Sequence, residues 1–286
     1  MKTIKLIVSF LLVVVFTLAA YSHSNVAHAK KKLEYSDNSL LALNYHRVRN
    51  ESLYNNFLLM FSNSKELKNY SVSSKQLDSQ IKWLKQHHAR FLTLNEVMKY
   101  KKKGKFPKRS VWINFDDMDQ SIYDNAYPIL KKHKVPSTGF VITQHVGSKD
   151  FHNLNLVDIN ELKEMKNSGL WDFASHSNNL HDLQKHDNPK FLTASHKQLT
   201  ADIKDSNQYL HQTFNINNKA IAYPYGQMDR SSIPAVKQAG IKYGFTLEEE
   251  PIRPDTNNYL LPRILVNQDS FNKLIKRWDG FHDKEK

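Results

Sequence analysis

The segment SVWINFDDMDQS, residues 110–121, carries an apolar run, Val111 to Phe115 with Asn114 its one polar member, into two adjacent carboxylates, Asp116 and Asp117. A short run rich in β-branched and aromatic residues predicts a buried strand. Adjacent acids repel, and burying either without compensation costs several kcal/mol. A positive charge is therefore expected opposite them, supplied by Arg, Lys or a metal ion.

Runs of the same kind occur at Leu40–Tyr45, Thr138–Thr143, Trp171–Ser175, Ala220–Tyr223, Tyr243–Leu247 and Ile264–Val266. Amphipathic segments separate them. In SSKQLDSQIKWLKQHH (73–88), Leu77, Ile81 and Leu84 recur at helical spacing, and Thr93 with Glu96 makes a capping box. VDINELKEMKNSG (157–169) opens on an Asp cap and stops at Gly169. SHKQLTADIKDSNQYLHQTF (195–214) carries Leu199, Ile203 and Leu210 on one stripe. This β-α alternation predicts an α/β domain around a parallel sheet, closed or open. In such folds chemistry gathers at the C-terminal ends of strands, which is where Asp116 and Asp117 fall.

The first residues follow a different pattern. Lys2 and Lys5, an apolar core from Leu6 to Ala20, and Ala27-His28-Ala29 predict a secretory signal peptide cleaved after Ala29. The alternative is an uncleaved anchor helix, for which the apolar core is short. Residues 30–286 then make one large domain. The chain has no cysteine, so an exported protein would rely on packing alone. Its formal charge is +13, to which Lys2 and Lys5 contribute two. Outside the cell that excess points to anionic lipid or wall polymers and not to nucleic acid, although spread-out lysines also serve solubility. LYNNFLLMFSNSKEL (53–67) contains the consecutive apolar residues Phe57 to Phe61. It reads either as a core segment or as an exposed loop dipping into a membrane interface. A secreted monomer associated with the cell surface is the expectation.

A second set of chemical groups follows another strand end. His176 comes directly after Ser175, and His181 five residues later. Two imidazoles and a carboxylate are a common ligand set for a catalytic zinc or similar ion. Five residues do not align both rings on one helix face, so a loop is required. The spacing alone is weak, because His23/His28 and His181/His186 repeat it; its position gives it weight. KAIAYPYGQMD (219–229) runs a strand candidate into Tyr223-Pro224-Tyr225-Gly226, where Pro and Gly turn the chain and expose backbone N–H groups. LLALNYHRV (40–48) ends its strand at His46, although a lone histidine there is more often structural.

Together Asn114-Phe115-Asp116-Asp117, the His176/His181 pair and Tyr223-Pro224-Tyr225-Gly226 resemble, in order, the first three motifs of the NodB-type polysaccharide deacetylases, carbohydrate esterase family 4. The resemblance spans most of residues 30–286, with its motifs inside 111–266. It implies a single distorted (β/α) barrel of about seven strands, circularly permuted. It implies Asp116 as general base, and Asp117, His176 and His181 as ligands of one divalent transition ion (zinc, nickel, cobalt or iron). Tyr225 would hold the oxyanion through its backbone N–H, and the permutation gives the proton-donor role to His46. Three departures stand out: Met118 where the family has Gly, histidines five apart instead of four, and Ala222 in place of a base-orienting Arg. Arg263 in LPRILV could supply that guanidinium from another strand. The implied activity is extracellular N-deacetylation of poly-β-1,6-N-acetylglucosamine, leaving cationic amines that retain the polymer on the cell surface and promote biofilm. Two alternatives are a non-catalytic carbohydrate-binding protein on the same fold, and a different metal hydrolase such as a phosphoesterase or peptidase.

Overall fold

The apolar runs become strands in the computed structural model, which describes residues 32–51, 69–152, 154–184 and 188–282. The strands are β1 (Leu40–Tyr45), β2 (Arg47–Arg49), β3 (Ser71–Ser73), β4 (Arg90–Phe91), β5 (Ser110–Phe115), β6 (Ser137–Val141), β7 (Trp171–Ser175), β8 (Ala220–Ala222), β9 (Tyr243–Phe245) and β10 (Ile264–Leu265). Seven lie side by side in the order β10-β1-β5-β6-β7-β8-β9, every pair parallel. β4 pairs with β5 off this path, and β2 and β3 form a separate parallel pair. All seven strands expected from the sequence are present. β2, β3 and β4 span only two or three residues, too few for a periodicity to register.

The connecting helices are α1 (Ser74–Gln86), α2 (Leu94–Lys103), α3 (Tyr127–His133), α4 (Ile159–Asn167), α5 (His196–Phe214) and α6 (Ile233–Gln238). Capping boxes close the N-termini of α1, α2, α4 and α5, from Ser73 with Gln76, Thr93 with Glu96, Asp158 with Glu161 and Ser195 with Gln198. Each box satisfies backbone donors that the first turn leaves unpaired. Helices α3 and α6 begin with Pro in the first turn and no capping side chain, so their starts carry a weaker sequence signal.

Side chains alternate across a strand, so each strand has two faces. Leu41, Leu43, Tyr45, Val111, Ile113 and Phe115 pack with Leu77, Ile81 and Leu84 of α1. Leu40, Ala42, Trp112, Phe140, Ala174, Ala222 and Phe245 form a second cluster on the opposite face. The sheet curls around that second cluster. A parallel bridge joins Phe245 to Leu261, and the Glu248 N–H donates to the Arg263 carbonyl at 2.9 Å, drawing the end of β9 towards the start of β10. The result is a partly closed barrel whose interior is filled by the Trp112 ring against Phe140 (5.9 Å) and Phe245 (4.8 Å). Two residues along from Trp112 comes Asn114, and two further comes Asp116. The same step carries Asn44 of β1 to His46 just past its end, and Ala174 of β7 to His176 just past its end. Period two therefore delivers three titratable groups to one end of the barrel, above its aromatic filling.

The expected signal sequence (residues 1–29) and the apolar run Phe57–Phe61 lie outside the described residues. Among the described residues no helix is long and apolar enough to cross a membrane.

Candidate active site

Asp116 is 1 % exposed and its positive partner is Arg263, at the edge of β10 and 0 % exposed. Arg263 Nη1 donates to Asp116 Oδ1 at 2.6 Å and Nη2 to Oδ2 at 2.9 Å, a two-pronged pair. Nη1 also donates to Asn114 Oδ1 (2.9 Å), Nε to the Thr246 carbonyl (3.2 Å), and the guanidinium lies over the Phe140 ring at 5.1 Å. Asn44 Nδ2 donates to the same Asn114 oxygen at 3.0 Å. Burial pushes the Asp116 carboxyl up, but Arg263, His176 and His46 outweigh it and hold the group below the usual carboxylate range.

After β5 the chain turns through two left-handed residues, Asp117 (φ 66°) and Met118 (φ 59°). Each costs about 1 kcal/mol for a residue with a Cβ. The Met118 side chain, 1 % exposed, compensates by packing over Gly139, where a Cβ would lie 2.4 Å from its sulfur. Met118 can thus stand where the resemblance expects Gly because the neighbouring strand supplies a glycine opposite.

The turn brings Asp117 to the two histidines. His176 Nδ1 meets the Ala222 carbonyl at 2.8 Å, and a carbonyl only accepts, so the Nδ1 carries the hydrogen and Nε2 presents its lone pair. His176 Nε2 and His181 Nε2 are 3.2 Å apart, and lie 3.4 and 3.2 Å from Asp117 Oδ1. One ligand atom from each of Asp117, His176 and His181 falls within 4.8 Å of the others. Asp117 Oδ1 is buried with no hydrogen-bond donor aimed at it. Three electron-pair donors converging this closely fit a cation between them, and two imidazoles with one carboxylate suit a divalent transition ion. Burial pushes the Asp117 carboxyl up, yet His181 and His176 hold it well below its ordinary range. The His176 imidazole is pushed down by burial and raised by more through Asp116 and Asp117.

His46 stands on the other side of Asp116, with Nε2 3.7 Å from Oδ2 and its ring edge-on to Tyr70 at 4.9 Å. Burial lowers its pKa against the pull of Asp116 and Asp117. Tyr225 (φ 57°) sits in the turn after β8, its hydroxyl donating to the His181 carbonyl at 2.8 Å and its ring 4.9 Å from the His181 ring. Gly226 follows at φ 67°, where a Cβ would meet Leu247 at 2.5 Å.

The residues singled out in the sequence, Asp116, Asp117, His176, His181, His46, Arg263 and Tyr225, thus form one contiguous cluster. Asn44 and the Ala222 carbonyl have no role in that reading, and Asn114 enters it only as the first residue of the Asn114-Phe115-Asp116-Asp117 motif. Its place two residues before Asp116 puts it on the same strand face, which is the signal for its part in holding Arg263. Ala222 reads from sequence only as a missing arginine, because a main-chain acceptor leaves no side-chain trace.

The family described as polysaccharide deacetylase matches residues 103–244. A poly-β-1,6-N-acetyl-D-glucosamine N-deacetylase of Staphylococcus aureus (strain N315) is 55 % identical over 286 residues, 99 % of each chain. One of the same description from Staphylococcus epidermidis is 55 % identical over 290 residues, 100 % of each. Among solved structures, IcaB from Ammonifex degensii superposes with a TM-score of 0.74 at 27 % identity, covering 87 % of this chain and 99 % of that one. The Streptococcus pyogenes deacetylase PplD, in complex with acetate, gives 0.68 at 29 % identity, covering 81 % and 93 %.

Proposed function

This chain belongs to the polysaccharide deacetylase family, hydrolases of amide C–N bonds, and from that premise we propose that it removes acetyl groups from poly-β-1,6-N-acetylglucosamine outside the cell. The substrate rests on the full-length relatives described by that activity. The chemistry rests on one observation: two adjacent carboxylates with different partners, Asp116 in the Arg263 fork and Asp117 facing two imidazoles.

Asp117, His176 and His181 would hold one divalent ion, with zinc, nickel, cobalt and iron all suited to the donor set. When bound, such an ion supplies Lewis acidity to the acetamide carbonyl and acidifies water. Asp116 accepts the proton of the attacking water as general base. Arg263 fixes the plane of that carboxylate and keeps it ionised. The Tyr225 backbone N–H donates to the oxygen on which negative charge develops. His46, beside Asp116, delivers a proton to the nitrogen as the C–N bond breaks, so the amine leaves neutral and acetate is released.

Residues 1–29 serve as the export signal and residues 30–286 as the deacetylase domain. The amines left on the polymer, cationic at moderate pH, retain it on an anionic cell surface and favour biofilm. The enzyme, acting as a monomer, is held at anionic membrane or wall by its own basic charge, with Phe57–Phe61 adding apolar insertion. Lys102 and Lys103 close α2 and Lys131 and Lys132 close α3, where each helix leads back to the start of a strand, away from the catalytic end.

The test is amine release from soluble N-acetylglucosamine oligomers, β-1,6-linked against β-1,4-linked. Preferred release from the β-1,6 series is expected. Tight binding with no amine released would replace catalysis by carbohydrate binding, and cleavage of a phosphate ester instead would point to a different hydrolase.

A further inference from the structure

Helix α5 turns Leu199, Ile203 and Leu210 into the core, but two buried polar residues one turn apart interrupt that face: Asp202, 8 % exposed, and Ser206, 0 % exposed. Asp202 reaches the segment between the two candidate ligand histidines directly, and Ser206 only through Ser175, just before it. Asp202 Oδ2 accepts the Asn178 N–H at 2.9 Å and Oδ1 the Asn179 N–H at 2.7 Å. Ser206 Oγ lies 2.8 Å from Ser175 Oγ, which accepts the Ser177 N–H at 3.1 Å. We propose that Asp202 is a positioning residue for the metal centre, clamping the 177–180 loop so that His176 and His181 converge.

A helix face packed on a core has no need of a carboxylate; Ala or Leu there would avoid its desolvation cost. Two bonds from consecutive amides offset part of that cost, although burial still holds the carboxyl above its ordinary range, and they fix the backbone between them. The loop needs fixing. It starts at Ser177 in a left-handed conformation (φ 72°). The clamped amides lie at its middle, and on the opposite side the Gln144 N–H donates to the Asn178 carbonyl at 3.1 Å. With the loop held between these partners, the two Nε2 atoms come within 3.2 Å of each other.

The inference rests on the proposed metal set, and the experiment separates the two. Zinc affinity of the mature protein is measured by competition with a chelating dye, and thermal unfolding is followed with and without zinc, for wild type, His176→Ala, Asp202→Asn and Asp202→Ser. Asn replaces one acceptor by an NH2 group that faces an N–H donor, and Ser removes both acceptors. Both are expected to bind zinc about 10- to 100-fold more weakly, the loss typical when a partner supporting metal ligands is removed. The zinc-induced rise in unfolding midpoint should shrink in step, which reads affinity even in a destabilised variant. A purely structural Asp202 would lower the midpoints with and without zinc alike and leave that rise unchanged, which overturns the inference while the metal set stands. A wild type that binds no more zinc than His176→Ala overturns both.

Discussion

Replacing Arg263 by Met tests how far the buried charge pair supports both fold and base. Met roughly matches the apolar length but abandons Asp116, 1 % exposed, with only the imidazoles of His46 and His176, at 3.7 and 3.9 Å, beside it. Unit charges about 4 Å apart at an effective dielectric near 20 attract by about 4 kcal/mol. Removing one member of a buried pair commonly costs 3–5 kcal/mol. Urea unfolding of Arg263→Met is therefore expected to show a loss of about 3–5 kcal/mol at pH 7, because the Thr246 carbonyl also loses its Arg263 donor. Adding Asp116→Asn to that variant removes the stranded charge and should recover about 1–3 kcal/mol. The folded Asp116 pKa lies below its unfolded value, so the carboxylate's contribution is present at pH 7 and is lost as pH falls through the folded pKa, below about 4. The wild-type advantage over the double variant should shrink over that range. A single-variant loss under about 1 kcal/mol, or a double variant no more stable than Arg263→Met, would refute the reasoning.

Other consequences are equally specific. His46→Gln should slow amine release by about 10²- to 10⁴-fold, and a variant at the wild-type rate would remove His46 from proton transfer. Met118→Gly relieves about 1 kcal/mol of backbone strain but discards a buried side chain worth about 2–3 kcal/mol, so urea unfolding should show a net loss; a gain would contradict the packing on Gly139. Asp78 on α1 is held below the usual carboxylate range by Lys82 foremost, with His133 (2.7 Å) and Lys132 (3.3 Å) at the end of α3. Asp78→Asn should cost about 1 kcal/mol at pH 7, and the difference should begin to fade as pH falls below about 4, where the unfolded carboxyl protonates, and disappear only once pH passes below the depressed folded pKa. Equal thermal midpoints at pH 7 would show that this cluster contributes nothing.

The barrel was legible because its strands are apolar runs bounded by turns and its larger helices announce themselves by capping boxes. The site was legible for a related reason: Asp116, His176 and His46 each end an apolar run, so a strand reading already places them at one rim. Arg263 was harder, since nothing in LPRILV says which way a buried arginine points; only closure of β10 onto β1 brings it to Asp116. Asp202 was hidden by its neighbours, because Leu199, Ile203 and Leu210 make α5 look like an ordinary apolar stripe. Its partners are backbone amides, which no side-chain pattern reveals.

The most direct measurement is amine release from a β-1,6-linked N-acetylglucosamine oligomer by the mature protein, stripped with a chelator and reloaded with zinc, nickel or cobalt, beside Asp116→Asn treated identically. Activity lost on stripping and restored by metal in the wild type alone, with the variant still binding metal, is the expected result. Undiminished release from the stripped protein, or a reloaded Asp116→Asn at the wild-type rate, would contradict a metal-assisted deacetylase with Asp116 as its base.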